Sequence, residues 1–322
     1  MNDLIVFRPG DVDIPFMAAF VQQGSDILFV LIPLVAVATS VWIQNKRVQD
    51  VHGPLTTFLQ CWCRVAMDIG LVIGIGGSAI GVAAMTIGMS ERFDAAVSVA
   101  LLTILWGGIL VGLGYFLKNP NIPIEVTVNR RGALICAVVF LAVVGTNMVQ
   151  TKLTVIWSYA PWSSQALLPY FFLFALCGVF MRFNGKPWII SITDANLLAT
   201  LGGLAMGVVY WFTAGGGYEN GRSAVYVCAL VLIWGSIVYV LAYIISLYCG
   251  EHERGNYQTK TWHLSEAAVF FFFLLYAPVG ATEWAREYYD RAAQHVINKA
   301  HQQQINELKV QIENLRQTAA EQ

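Results

Sequence analysis

The sequence predicts an all-α protein that folds as a polytopic membrane helix bundle with about eight spans. Three observations lead to this prediction: 57% of the 322 residues are hydrophobic, 12% are charged, and the mean hydropathy is +0.59. Soluble domains are about 25% charged. The apolar runs are continuous, which favours helices over the alternating strands of a β-barrel. The first expected partner is therefore the lipid bilayer.

Each crossing needs about 20 predominantly apolar residues. Eight stretches approach this length, at residues 27–44, 66–88, 95–117, 132–149, 164–181, 195–214, 223–248 and 265–282. The first residues are acidic and do not combine a basic start with an apolar core, so we expect no cleaved signal peptide. The predicted parts are an N-terminal segment (1–26), two membrane regions (27–150 and 151–282) and a helical tail (283–322).

Basic residues are concentrated after the first, third, fifth and seventh stretches. They are Lys46, Arg47, Arg64, Lys118, Arg130, Arg131, Arg182, Lys186, Arg254 and Lys260. Loops rich in Lys and Arg stay on the cytoplasmic side, so the pattern predicts an inner-membrane, multi-pass protein with both termini outside. If the eighth stretch does not cross, the tail is cytoplasmic.

A glycine-rich phrase occurs twice, as GGSAIGV from Gly76 to Val82 and as GGLAMGV from Gly202 to Val208. Around it, further residues match in the same order, including Asp68 with Asp194 and Glu91 with Glu219. The simplest interpretation is two copies of a four-span unit, which are parallel because the number of crossings is even. Small residues four apart let membrane helices approach closely, which predicts a packing role for Gly76, Gly77, Gly81, Gly107, Gly202, Gly203, Gly207 and Gly235.

The second and third stretches carry two further phrases, Gly77-Ser78-Ala79-Ile80-Gly81 and Ala100-Leu101-Leu102-Thr103-Ile104-Leu105-Trp106-Gly107. Together they resemble the pore hairpin of the MotA/TolQ/ExbB proton-channel family. The resemblance implies a homo-oligomer around a single-span partner protein with an intramembrane aspartate, and a path lined by the hydroxyls of Ser78 and Thr103. The second copy has Leu204 and Val231 at these positions. The large cytoplasmic domain of the family is reduced to residues 45–65.

No ionisable residue falls at the middle of a predicted span, although such groups usually mark ion pathways in membranes. The protein is therefore expected either to borrow an acidic group from a partner or to move no ions. Asp68 and Asp194 fall at predicted helix starts, where they would cap free N–H groups or form an acidic ring at a pore mouth. Glu91 and Glu219 have the same alternatives, a solvated turn or a pore mouth.

Three cysteines and a histidine fall on the predicted cytoplasmic side, namely Cys61, Cys63, Cys249 and His252. A Cys₃His zinc site is conceivable, but the C-x-C spacing departs from the usual zinc pattern, so we expect no metal and no cofactor. No Ser-His-Asp, Walker or dinucleotide-binding pattern occurs, which predicts that the protein is not an enzyme. The net charge of -1 gives no indication of nucleic-acid binding.

The tail changes to Gln, Glu, Ala and Lys, and it places Ile305, Leu308, Ile312 and Leu315 at 3-4-3 spacing. This spacing predicts an amphipathic or coiled-coil helix that contacts a partner. We therefore expect a membrane subunit of a multi-protein assembly, with a MotA/TolQ/ExbB-like channel or energy-coupling role as the leading hypothesis. A non-conducting scaffold or assembly factor of an envelope secretion or conjugation system is the alternative. A transporter or toxic-ion resistance protein ranks third, because no substrate site is visible.

Overall fold

The structure, a computed structural model, describes residues 24–86, 93–150, 167–213, 218–250, 294, 297–309, 311 and 312. These residues form helices and short connections, with no strand among them. The all-α prediction is therefore confirmed for the described part of the chain. The chain divides into two compact units, Met1–Phe271 and Phe272–Gln322.

The first unit contains nine described α-helices and one π-helical turn. In chain order they are α1 (Gly24–Gln44), α2 (Lys46–His52), α3 (Pro54–Val65), the π-turn (Ala66–Gly70), α4 (Leu71–Thr86), α5 (Phe93–Leu117), α6 (Arg130–Gln150), α7 (Leu168–Phe183), α8 (Trp188–Thr213) and α9 (Tyr218–Cys249).

Five helical segments are long and apolar enough to cross a membrane: Ile27–Gln44, Pro54–Ala83, Arg130–Val149, Trp188–Gly207 and Ala224–Cys249. Two shorter apolar helices, Leu102–Leu117 and Leu168–Phe183, accompany them. Together they fall in seven of the eight stretches predicted from sequence, and the eighth, 265–282, lies outside the described residues. The protein is thus a helical membrane protein.

The second predicted stretch begins earlier than the sequence suggested. Gly53 has a positive φ of 85°, which ends α2 and redirects the chain, and Pro54 occupies the first turn of α3. Proline is favoured there because its missing N–H has no helical partner to lose. From this start, α3, the π-turn and α4 continue without a break to Thr86, so most of 45–65 is helical.

The core of the first unit lies along α4. Within the most apolar 18 residues of Pro54–Ala83, 94% of the residues are buried, the highest share among the corresponding stretches of the five long segments. Helix α4 packs mainly against α5 and α9, with α1 and α6 alongside. Helix α8 packs against α9, and α7 packs against α8. Helix α1, by contrast, lies mainly against α6 and α3.

One end of the bundle is tied together by buried amides. Asn45, which follows α1, donates from Nδ2 to the carbonyl oxygens of Val41 (2.8 Å) and Glu125 (2.9 Å). Its Oδ1 accepts from the Glu125 N–H at 3.0 Å. In the same way, Gln60 of α3 donates to the Leu117 carbonyl at 3.0 Å and accepts from the Asn119 N–H at 2.6 Å. The connection between α5 and α6 is therefore fixed against α1 and α3.

The second unit includes the helix 297–309. Its apolar side chains Ile297, Ile305 and Leu308 are exposed, as is Ile312 just beyond it. Leu315 lies outside the described residues. The expected helix is present, and its predicted pairing with a partner helix stays a prediction.

Candidate functional site

The closest contact in the first hairpin, α4–α5, is made by glycines. A Cβ placed on Gly74 would lie 2.8 Å from the Thr103 carbonyl oxygen and 3.2 Å from the Cα of Gly107. A Cβ placed on Gly107 would lie 2.9 Å from the carbonyl oxygen of Gly70. Such distances are too short for a real methyl group, so only glycine allows the backbones of α4 and α5 to approach this closely.

In the second hairpin, α8–α9, close contacts lie at the positions that the predicted repeat aligns with Gly74 and Gly107. A Cβ on Gly235 would meet Thr200 Oγ1 at 2.5 Å, and a Cβ on Gly203 would meet the Val231 side chain at 3.0 Å. If the two glycine-rich phrases are aligned as predicted from sequence, Gly235 corresponds to Gly107, and Thr200 corresponds to Gly74. Both hairpins therefore place a glycine of the second helix against the same position of the first.

Three further predicted glycines also lie in described helix contacts. Gly76 faces Ser236 of α9, Gly202 faces Leu173 of α7, and Gly207 faces Cys228. Gly81 is buried. Gly76 thus joins the first hairpin to the second, whereas Gly202 joins the second hairpin to α7.

The two hydroxyl residues predicted to line a path are both buried in the first unit. Ser78 is 4% exposed and Thr103 is fully buried. A Cβ on Gly77 would lie 2.9 Å from the Thr103 Cβ, and it would also meet the Phe29 ring of α1 at 2.7 Å. Thr103 therefore lies in a tight helix contact that leaves no room for water between Gly77 and itself.

The carboxylate of Asp68, which was predicted at a helix start, is buried at the π-turn. Asp68 is 1% exposed, and its Oδ2 accepts a hydrogen bond from the Tyr243 hydroxyl of α9 at 3.0 Å. The Nε of Arg64, one turn earlier, lies 3.7 Å from the same oxygen, which is an ion pair without a direct hydrogen bond. The Asp68 carboxylate therefore connects the central helix to α9 and lies inside the helix bundle.

Two sequence predictions are corrected here. Asp68 does not cap a helix, because α3 begins at Pro54 and the helix continues through it into α4. The same holds for Asp194, since α8 begins at Trp188. Asp68 lies midway along the 30-residue helical segment Pro54–Ala83, although it lies near one end of the predicted span 66–88. The Gly53-Pro54 pair was the sequence feature that could have located this helix start.

Asp194 has a basic partner. Its Oδ2 lies 3.0 Å from the Nζ of Lys186 in the turn before α8. The neighbouring Thr193 hydroxyl donates back to the carbonyls of Ile189 (3.2 Å) and Ile190 (3.1 Å), as expected within a helix rather than at its start. Glu219 lies in the first turn of α9, and Glu91 lies outside the described residues.

A further polar chain, which the sequence analysis missed, joins α7, α8 and α9. The Tyr170 hydroxyl donates to Asn196 Oδ1 at 2.7 Å, and Asn196 Nδ2 donates to the Gly235 carbonyl at 2.8 Å. Both side chains are fully buried. An asparagine inside an apolar run was the available indication, because buried amides need partners.

The zinc hypothesis stays a prediction, because one of its four ligands lies outside the described residues. Cys61 and Cys63 are two apart on α3, which turns their side chains about 200° from each other. Cys249 is the last residue of α9 and is exposed, and His252 lies outside the described residues. Within the described ranges, no three potential ligands converge.

The site thus consists of two glycine-packed hairpins and a buried Asp68–Tyr243 pair between α9 and the π-turn that precedes α4. Comparisons with protein-family models, with curated proteins and with solved structures find no match to the chain.

Proposed function

We propose that the protein is a multi-pass inner-membrane scaffold subunit of a multi-protein assembly. The observation that carries the proposal is the burial of Thr103 and Ser78. In a channel of the MotA/TolQ/ExbB type these hydroxyls would line a path between copies, but here the tight contact with Gly77 encloses Thr103 within one chain. Glycine packing of this kind holds helices rigidly and serves assembly without conduction.

We further propose eight crossings arranged as two parallel four-span units. The support is that Gly107 and Gly235 meet corresponding positions of α4 and α8, and that Gly77 and Gly203 face the corresponding residues Thr103 and Val231. The distribution of Lys and Arg supports cytoplasmic loops after the odd-numbered spans. The exposed apolar residues of the tail helix support contact with another subunit.

Reconstitution into liposomes tests the scaffold proposal. Purified wild-type protein is exposed to a proton gradient, and internal pH is followed with a trapped dye, with empty liposomes and a Thr103→Val variant alongside. We expect protons to leak at the same rate into empty liposomes and into liposomes that contain the wild type or the Thr103→Val variant. A wild-type flux that exceeds the empty liposomes and is lost in Thr103→Val would refute the scaffold role. In parallel, mild-detergent purification from native membranes should recover other membrane proteins in stoichiometric amounts.

A proton-coupled role is the second candidate, and one observation favours it: the burial of Asp68 in the central helix segment. Ionisable groups within membrane helices commonly belong to proton relays, and π-turns recur at functional sites. In this version the chain supplies its own acid, which is held by the Tyr243 hydroxyl and by Arg64.

The Asp68→Asn variant tests this second candidate. It keeps the size of the side chain and the acceptor for Tyr243 but removes the exchangeable proton, so gradient-driven flux should fall to the level of empty liposomes. Asp50→Asn is the matched control, because Asp50 is exposed on α2. Equal fluxes from wild type and Asp68→Asn would exclude a proton-carrying role for Asp68.

A further inference from the structure

An apolar groove runs between α7 and α8 beside the turn that joins them. Its volume is about 530 Å³, within the range of small-ligand sites. The lining is aromatic and aliphatic, with one basic residue: Phe174, Gly178, Val179, Trp188, Ile192 and Arg182. Gly178 forms a narrow floor, since a Cβ there would lie 3.7 Å from the Ala195 Cβ.

The charge at the mouth of the groove is positive and comes from Arg182. Arg182 lies in the last turn of α7 and donates from Nη1 to the Lys186 carbonyl at 3.0 Å, which holds it over the turn. The nearby Lys186 is already neutralised by Asp194 at 3.0 Å. Within the described ranges, Arg182 has no ion-pair partner. The mouth of the groove therefore complements an anion.

The position of Arg182 also fits the depth of a lipid headgroup. Helix α7 has 16 residues and is about 24 Å long, shorter than the bilayer core of about 30 Å. The turn that follows α7 contains the polar residues Asn184 and Lys186, so this end of the helix lies near the edge of the hydrocarbon, from which an arginine reaches the phosphates. Trp188, 42% exposed at the start of α8, is a residue type enriched at this interface.

We propose that this groove binds one anionic phospholipid, with its acyl chain along Gly178 and Val179 and its phosphate on Arg182. The anionic headgroup distinguishes this occupant from bulk neutral lipid, because a guanidinium that has no ion-pair partner among the described residues attracts a net negative headgroup more strongly than a zwitterionic one. Arginine can also hold a phosphate with two parallel hydrogen bonds.

Lipid retention tests the proposal. The full-length protein is reconstituted in vesicles of phosphatidylcholine and phosphatidylglycerol, extracted, washed with detergent and analysed for bound lipid by native mass spectrometry. Arg182→Gln should retain about fivefold less phosphatidylglycerol, the loss expected for one basic group near an anionic headgroup, with unchanged phosphatidylcholine. Arg131→Gln is the control, because Arg131 is an exposed cation at the start of α6, away from the groove.

A second variant tests the acyl-chain part. Ala175→Phe introduces a ring at an exposed position of the groove and leaves Arg182 in place, and it should also lower retention of phosphatidylglycerol. A photo-reactive residue at Val179 should crosslink to lipid. Equal retention by wild type and Arg182→Gln, an equal loss in Arg131→Gln, or crosslinks from Val179 to a polypeptide would each overturn the proposal.

Discussion

Replacing Gly107 by alanine tests the glycine contact between α4 and α5 directly. A methyl group there would lie 2.9 Å from the Gly70 carbonyl oxygen and 3.1 Å from the Cα of Gly74. Both are backbone atoms, so no side chain can rotate away. Ordinary contacts begin at 3.4 Å, which means that the two helices must separate by about 0.5 Å. Overpacking of this kind costs about 1–3 kcal/mol.

Gly108 provides the matched control, because a Cβ there would have nothing within 4 Å. Both alanine variants gain the same helix propensity, about 0.5–1 kcal/mol, so their difference isolates the overpacking cost. At about 1.5 °C per kcal/mol for a chain of 322 residues, Gly107→Ala should melt about 1.5–4.5 °C below Gly108→Ala. Thermal unfolding in detergent, scanned at one fixed rate, measures this. If the two variants melt together, α4 and α5 are not in the described contact.

Two further changes probe the buried hydrogen bonds. Tyr170→Phe leaves Asn196 Oδ1 without its buried donor and should destabilise the protein by about 0.6–2 kcal/mol. Chemical unfolding in mixed micelles would detect this as a shifted midpoint, and an unshifted midpoint would contradict the hydrogen bond. Asn45→Ala removes three hydrogen bonds to Val41 and Glu125 and should speed hydrogen exchange at the Glu125 amide. An unchanged exchange rate would contradict the hydrogen bonds between Asn45 and Glu125.

The sequence predicted the helical membrane class because hydropathy is a property of composition and run length. It was less successful where structure depends on a helix start. The apolar run near residue 66 suggested that Asp68 lies at a helix end, but the amphipathic segment Pro54–Val65 already forms helix and buries Cys61 and Cys63. Hydropathy averages over that segment, in which polar residues such as Gln60 are buried while Leu55 and Leu59 are exposed, and so the true start was missed.

The packing partners were also only partly predictable. Spacing alone indicated that Gly77 and Gly203 face a neighbouring helix. It could not indicate which helix, and Gly76 contacts Ser236 of α9 while its repeat counterpart Gly202 contacts Leu173 of α7. This choice depends on how the hairpins pack together, which no local pattern records.

Under the proposed duplication, the differences between the two hairpins have a common physical basis. In the first hairpin, Gly107 meets Gly70 and Gly74, so the helices approach through missing side chains. In the second, the corresponding positions are Asn196 and Thr200, and the Asn196 amide donates to the Gly235 carbonyl at 2.8 Å. A hydrogen bond there offsets the looser packing that larger side chains impose, because a polar contact between membrane helices stabilises them by about 0.6 kcal/mol on average. The glycine of the second helix is needed in both hairpins because a Cβ there would collide with the first helix, with the Gly70 carbonyl in one hairpin and with Thr200 in the other.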